Sequence, residues 1–178
     1  MNIANASLGQ GQGVVSFAVG DILATRPGRY DAILCRGVLN DLVDDCDRDM
    51  VFDGFVRCLQ PGGVLILDVR EWTVSAERKA REPLFRKRVS TDRGDLTFTS
   101  ITDLDPERRR LLISEEHVLV HAGQQRVSEY QFVMRCWTDT ELRSALARAG
   151  FGSVEYFGAY DATVAPGVTD RVVAVAQL

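Results

Sequence analysis

The sequence predicts an α/β fold: a partial doubly wound sheet that carries an inserted antiparallel β-meander. Two short apolar runs, residues 30–35 and 64–69, do not alternate polar with apolar side chains, which is typical of parallel strands covered on both faces. Between them lies a segment with a helical apolar stripe, which Pro61-Gly62-Gly63 ends. Three later segments do alternate and are joined by turn residues, which predicts the meander.

Composition narrows the class of protein. The 178 residues, 46% hydrophobic and 26% charged, are predicted to form one domain. The net charge of −4 argues against non-specific nucleic-acid binding, and no apolar run approaches the roughly 20 residues that a membrane span needs. The four cysteines lack zinc-like spacing, and no cluster of His, Cys and carboxylates has metal-ligand spacing. We therefore predict reduced thiols, no metal and a cytoplasmic protein.

The chain begins with a leader and a strand. Residues 1–13 are rich in Asn, Ser, Gln and Gly, and their glycine-rich run precedes a strand instead of following one. We therefore predict a flexible leader and not a nucleotide loop. Residues 14–19 are predicted to form the first strand. In the βαβ unit that starts at Tyr30, either Asp44 or Asp45 can cap the helix.

A basic stretch follows the βαβ unit. Residues 72–82 are helix-compatible, and Pro83 ends this helix. A solvated face is the favoured interpretation of the stretch, and an anionic-ligand site is the alternative. Its basic side chains are Arg78, Lys79, Arg81, Arg86, Lys87, Arg88 and Arg93.

The second half of the chain combines the inserted sheet with a closing α/β segment. Within the inserted region, residues 84–136, three strands are predicted at residues 96–101, 111–120 and 126–134. Thr138 and Glu141 have the spacing of a capping box, so a helix starts there. Residues 154–157 and 171–175 are predicted to form a final antiparallel pair.

Taken in order, these pieces resemble the C-terminal two-thirds of a class I S-adenosylmethionine-dependent methyltransferase, which has a Rossmann-like fold. The resemblance covers nearly all of residues 14–178. The inserted sheet is similar to the one that roofs the substrate site in small-molecule N- and O-methyltransferases. The matching motifs are VGDI at residues 19–22, YDAIL at 30–34, LQPGGVLI at 59–66 and ALARAGF at 145–151.

The resemblance implies S-adenosylmethionine as the cofactor and a small molecule as the methyl acceptor. Asp21 would hydrogen-bond the adenine amino group, with Gly20 and Ile22 beside it. Arg36, Gly37 and Val38, at the carboxyl end of a strand, would lie along the methionine part of the cofactor. The two groups would then border one adenosyl pocket. The alternatives are a turn residue for Asp21 and a surface ion pair with Asp41 or Asp44 for Arg36.

The acceptor-site candidates come from two places in the sequence. Glu71 and Trp72 follow the strand at residues 64–69. A hydroxyl acceptor would use a general base, whereas an amine needs only its neutral form. Sheet packing for the aromatic residues and a surface strand position for the histidine are the alternatives. The candidates on or beside the inserted sheet are His117, Glu129, Tyr130, Arg135 and Trp137.

Two family features are missing from this sequence: the glycine-rich loop after the first strand and the acidic residue that holds the ribose. With the family's sheet order of 3-2-1-4-5-7-6, the strand at residues 32–35 would keep an unpaired apolar edge. Either residues 14–19 dock beside it or another chain covers it, and a misassigned start site is a third explanation.

We therefore expect methyl transfer, impaired if the chain is truncated. The alternatives are a silent binding or dimerisation module of this fold and, ranked lower, a reductase. A homodimer would use the sheet edge or the inserted sheet.

Overall fold

The computed structural model describes residues 18–178, and these residues form two sheets with helices beside them. A 3₁₀ turn, Ile22–Ala24, precedes β1 (Tyr30–Cys35), α1 (Asp45–Cys58), β2 (Leu59–Arg70) and α2 (Trp72–Arg81). The second sheet follows with β3 (Leu84–Thr91), β4 (Gly94–Asp105), β5 (Arg110–His121) and β6 (Gln124–Arg135). The chain closes with α3 (Asp139–Ala149), β7 (Ser153–Phe157) and β8 (Arg171–Gln177). No helix among the described residues is both long enough and apolar enough to cross a membrane.

The first sheet has the strand order β1-β2-β8-β7. β1 and β2 are parallel, as the βαβ prediction requires, and β8 runs antiparallel to both β2 and β7. This is the 4-5-7-6 half of the order that the resemblance implies. The predicted α/β fold with an inserted antiparallel sheet is therefore confirmed.

The main core lies between this sheet and the helices α1 and α3. Leu65, Leu67 and Val69 project from alternate positions of β2 into the core and are almost fully buried, as are Phe52 of α1 and Leu146 of α3. At the start of α3, Thr138 accepts the Glu141 N–H while Glu141 accepts the Thr138 N–H, which confirms the predicted capping box. α1 begins at Asp45, and the side chain of Asp44 makes no capping hydrogen bond.

The prediction that β1 is covered on both faces is wrong for the described part of the chain. The side chain of Leu34 is 67% exposed, because nothing in residues 18–178 packs over it. Within the same residues, β1 is hydrogen-bonded only to β2. The predicted leader and most of the predicted strand at residues 14–19 lie outside the described residues, and Ala18 and Val19 belong to no strand.

The inserted sheet has four antiparallel strands in the order β3-β4-β5-β6, whereas three were predicted. The missed strand is β3, which contains part of the basic stretch. Every residue of β3 is exposed, so its sequence shows no period of 2. Basic residues on an edge strand also oppose pairing with another sheet.

Replacing a core leucine should cost far more stability than replacing Leu34. Leu146→Ala removes a fully buried side chain and should lower the free energy of unfolding by about 2–5 kcal/mol. Leu34→Ala should lower it by less than about 0.5 kcal/mol, because that side chain is largely in solvent. Urea denaturation measures both values. An equal loss of unfolding free energy in the two variants would contradict the exposure of Leu34 on this face of β1.

Candidate functional site

A buried carboxylate joins three strands at the carboxyl end of β1 and β2. Asp68 of β2 is 2% exposed. Its Oδ1 accepts the Gly37 N–H at 2.6 Å, just beyond β1, and its Oδ2 forms an ion pair with Arg171 of β8. Gly37 has a φ of +69°, a conformation that glycine adopts without strain. The partners of Asp68 therefore fix the turn that follows β1.

Two arginines meet at Tyr160 beside this carboxylate. Arg36 Nε and Arg171 Nη1 donate to the Tyr160 hydroxyl at 3.2 and 3.4 Å. Both guanidinium groups lie over the ring, 5.1 and 5.3 Å from its centroid. Partial burial and the charge of Arg36 lower the pKa of Arg171. Within residues 18–178, Arg36 does not form the alternative ion pair with Asp41 or Asp44. The cluster thus keeps a cation that is free to bind a ligand carboxylate.

The structure places Asp21 at the other end of β1. Its Oδ1 accepts the Leu23 N–H at 2.9 Å and so caps the 3₁₀ turn. Arg57, in the last turn of α1, donates to the carbonyl of Ile22, and the N–H of Gly28, just before β1, donates to the Arg57 carbonyl. These contacts lie near the amino end of β1, a strand that spans roughly 20 Å.

The expected common adenosyl pocket is therefore not formed by the described residues. Gly20 and Ile22 border a separate hollow of about 330 Å³, together with Tyr30, Ala32 and Ile33 of β1. Arg36, Gly37 and Val38 follow the opposite end of the same strand. Adenine binding by Asp21 stays a prediction.

Three of the acceptor-site candidates make structural contacts. Glu71 caps α2, because its Oε2 accepts the Val74 N–H at 2.8 Å. Trp137 lies in the core and donates its indole N–H to the Leu39 carbonyl at 3.4 Å. Arg135 is buried and forms an ion pair with Glu141 at 2.7 Å. The structure does not bring these three side chains together around one hollow.

The candidates on the inserted sheet cluster separately. The His117 ring lies 5.3 Å from the exposed Tyr130 ring, and its Nε2 lies 3.5 Å from Glu115. Tyr130 and Glu129 border a hollow of about 340 Å³ on the sheet surface. Their role in acceptor binding stays a prediction.

Sequence reasoning missed a hollow of about 230 Å³ between α2 and the inserted sheet. Its rim carries the basic side chains of Arg70, Arg78 and Lys79. Trp72, an acceptor-site candidate, packs against the buried cluster that contains Leu111 and Ile113. These two residues also line the hollow. The available signal was the basic stretch of α2 followed by alternating strands. The apolar floor consists of Phe85, Phe98, Leu111, Ile113, Phe132 and Met134.

This hollow adjoins the Asp68 cluster. Arg70 of β2 is paired directly with Arg171 of β8, and such partners have Cα atoms about 5 Å apart. Asp170 forms ion pairs with both Arg70 and Arg78. The Arg36–Arg171 cluster and a mostly apolar hollow therefore share one edge of the sheet, where open α/β sheets bind ligands.

Glu141 binds two arginines beside α3, the buried Arg135 and the partly exposed Arg109. Burial alone would raise the pKa of Glu141, but hydrogen bonds from Arg135, the Thr138 N–H and Arg109 outweigh it and lower the pKa to about 2. Because the folded-state value lies below the ordinary 4.5, the carboxylate stabilises the fold above pH 4.5 and loses this effect as the pH falls toward 2.

Glu141→Gln should therefore lower the free energy of unfolding at pH 7 by about 1–3 kcal/mol and flatten its decline between pH 4.5 and 2. Urea denaturation at a series of pH values measures this. Asp139→Asn is the control. It removes an exposed ion pair with Arg143 on the same helix and should lower the free energy of unfolding by less than about 1 kcal/mol. A pH profile for Glu141→Gln as steep as that of the wild type would contradict the assignment.

Solved structures supply the comparison with known proteins. No protein-family model matches the sequence, and no curated protein matches it. The chain is similar to an S-adenosylmethionine-dependent methyltransferase from Clostridium acetobutylicum ATCC 824, at 15% identity and a TM-score of 0.73 over 90% of this chain and 63% of that one.

Two further structures extend the comparison. A SAM-bound amino pentose methyltransferase of calicheamicin biosynthesis, from Micromonospora echinaspora, is 19% identical with a TM-score of 0.67 over 89% of this chain and 62% of that one. A sugar N-methyltransferase from Streptoalloteichus sp. ATCC 53650 is 17% identical with a TM-score of 0.66 over 88% and 60%. The chain spans less than two thirds of the length of these proteins. Residues 18–178 thus have the fold of the class I S-adenosylmethionine-dependent methyltransferases, over the part that they cover.

Proposed function

We propose that this chain takes part in S-adenosylmethionine-dependent methyl transfer to a small-molecule acceptor. The observation that carries the proposal is Arg36, which forms no ion pair within residues 18–178 and lies beside Gly37 and Val38 at the sheet edge where this fold binds ligands. The fold itself and the sugar and amino pentose methyltransferases among the similar structures support it.

The residues at this edge fit the methionine part of the cofactor. Arg36 and Arg171 present two guanidinium groups to one point, and such groups bind carboxylates through charge-assisted hydrogen bonds. Gly37 is held by Asp68, and Val38 is exposed beside it, so both can line the aliphatic chain. When bound, the cofactor supplies a sulfonium methyl group for in-line displacement. Gly20, Asp21 and Ile22 stay the proposed adenine contacts, which requires their turn to lie closer to Arg36 in the cofactor complex than it does in this structure.

The proposed acceptor site is the hollow between α2 and the inserted sheet. It adjoins the Arg36–Arg171 pair through the Arg70–Arg171 strand pairing. Its apolar floor would exclude water and orient the acceptor, which is the protein's share of this chemistry. An amine acceptor would react in its neutral form, and Glu115, the carboxylate in the lining, would serve as the base for a hydroxyl.

Calorimetric titration with S-adenosylhomocysteine tests the cofactor assignment. Arg36→Gln should weaken binding at least tenfold, because a charge-assisted hydrogen bond contributes about 1.5–3 kcal/mol. Arg143→Gln is the matched control, since Arg143 lies on α3, where it forms a half-exposed ion pair with Asp139 at 2.7 Å. No heat of binding at millimolar ligand, or equal weakening by the two substitutions, would contradict the proposal for this chain.

A catalytically silent binding or dimerisation module is the second candidate. It is favoured by the edge of β1 that no described residue pairs with, by the exposed Leu34 and by the separation of Asp21 from Arg36. In this reading the edge of β1 or the inserted sheet binds a second copy of the chain.

Light scattering after size-exclusion chromatography tests this second candidate. Leu34→Asp should dissociate a dimer that forms along β1, because the new carboxylate would be buried in the dimer interface. Leu112→Asp, at an exposed position of the inserted sheet, is the control and should instead dissociate a dimer formed through that sheet. A monomeric mass for the wild type would rule out both dimers.

A further inference from the structure

The rim of the hollow between α2 and the inserted sheet carries an uncompensated positive charge. Asp170 neutralises part of the charge of Arg70 and Arg78 through its two ion pairs. Among the described residues, no carboxylate lies within ion-pair distance of Lys79. Partial burial and the charges of Arg78 and Arg70 lower the pKa of Lys79. The surroundings therefore disfavour the charged form of Lys79 unless an anion binds beside it.

An unsatisfied hydroxyl lies in the lining of the same hollow. Thr102 is 2% exposed, and its Oγ1 has no hydrogen-bond partner in the part of the chain that the structure describes. Buried polar groups in folded proteins nearly always have partners, and one left without a partner is destabilising. A polar atom of a bound molecule would provide the missing partner. Thr102 is thus a second and independent indication of a ligand.

The rest of the lining is suited to a flat apolar group. The rings of Phe85 and Phe98 lie 6.0 Å apart on neighbouring strands, and Phe132 completes an aromatic floor. The single carboxylate in the lining, Glu115, lies 3.5 Å from His117 Nε2. The volume of about 230 Å³ is enough for one ring with a small polar substituent.

We infer that this hollow selects a methyl acceptor with a ring-sized apolar body and an anionic group, either carboxylate or phosphate, that Lys79 binds. The role as acceptor site rests on the proposed function, whereas the binding chemistry follows from the lining itself. Lys79 would act as a specificity-determining residue, because an acceptor without the anion would leave its ammonium unpaired. The basic stretch of α2 then belongs to an anionic-ligand site and not only to a solvated face.

NMR titration of the whole chain with benzoate, phenyl phosphate and the neutral benzamide tests the inference. Both anions should bind at least tenfold more tightly than benzamide, and the tighter of the two identifies the preferred anionic group. Lys79→Met should weaken benzoate binding to the level of benzamide, and Lys79→Arg should restore it. The control is Arg88→Met, on the opposite face of β3, where Arg88 forms an exposed ion pair with Asp95 at 2.9 Å; this variant should bind benzoate as the wild type does.

Equal affinity of the wild type for benzoate and benzamide, or unchanged benzoate binding in Lys79→Met, would overturn the inference. A parallel titration with S-adenosylhomocysteine separates this failure from failure of the proposed function. If the cofactor product binds and neither anion does, the acceptor class is wrong and the methyltransferase proposal stands. If the anions bind through Lys79 and the cofactor product does not, the anion site stands and the methyltransferase proposal fails.

Discussion

The carboxylate of Asp68 is the charge on which the candidate site depends. A buried ion costs several kcal/mol unless it is paired and hydrogen-bonded. Asp68 is satisfied by the Gly37 N–H and by Arg171, which come from the end of β1 and from β8. The strand order that places these groups together therefore also sets the position of Arg171, and with it the meeting of two arginines at Tyr160.

Backbone contacts at the same edge join the inserted sheet to the first sheet. The Trp137 N–H donates to the Arg70 carbonyl at 2.9 Å, and the Trp72 N–H donates to the Trp137 carbonyl at 2.8 Å. Asn40, buried between the two sheets, accepts the Arg70 N–H and donates to the Arg135 carbonyl. These bonds, made by the main chain and the buried Asn40 side chain, fix the hollow between α2 and the inserted sheet next to the Asp68 cluster.

Local patterns predicted the elements that have a local cause. The capping box at Thr138 and the apolar run of β2 act over a few residues, and both were found as expected. β3 was missed because an exposed edge strand has no hydrophobic period. The role of Asp68 was missed because its partner Arg171 is distant in sequence, although a lone acid within an apolar strand was a signal. Asp21 was placed in a shared pocket, but its hydrogen bond to the Leu23 N–H holds it in a turn at the other end of β1.

The most direct test is to map backbone amide shifts while S-adenosylhomocysteine is added. If the methionine part of the cofactor binds at the turn that Asp68 holds, the Gly37 and Val38 amides should shift and saturate together with the amide of Arg171. Saturable shifts confined to residues 20–25, with those three amides unchanged, would contradict the central claim.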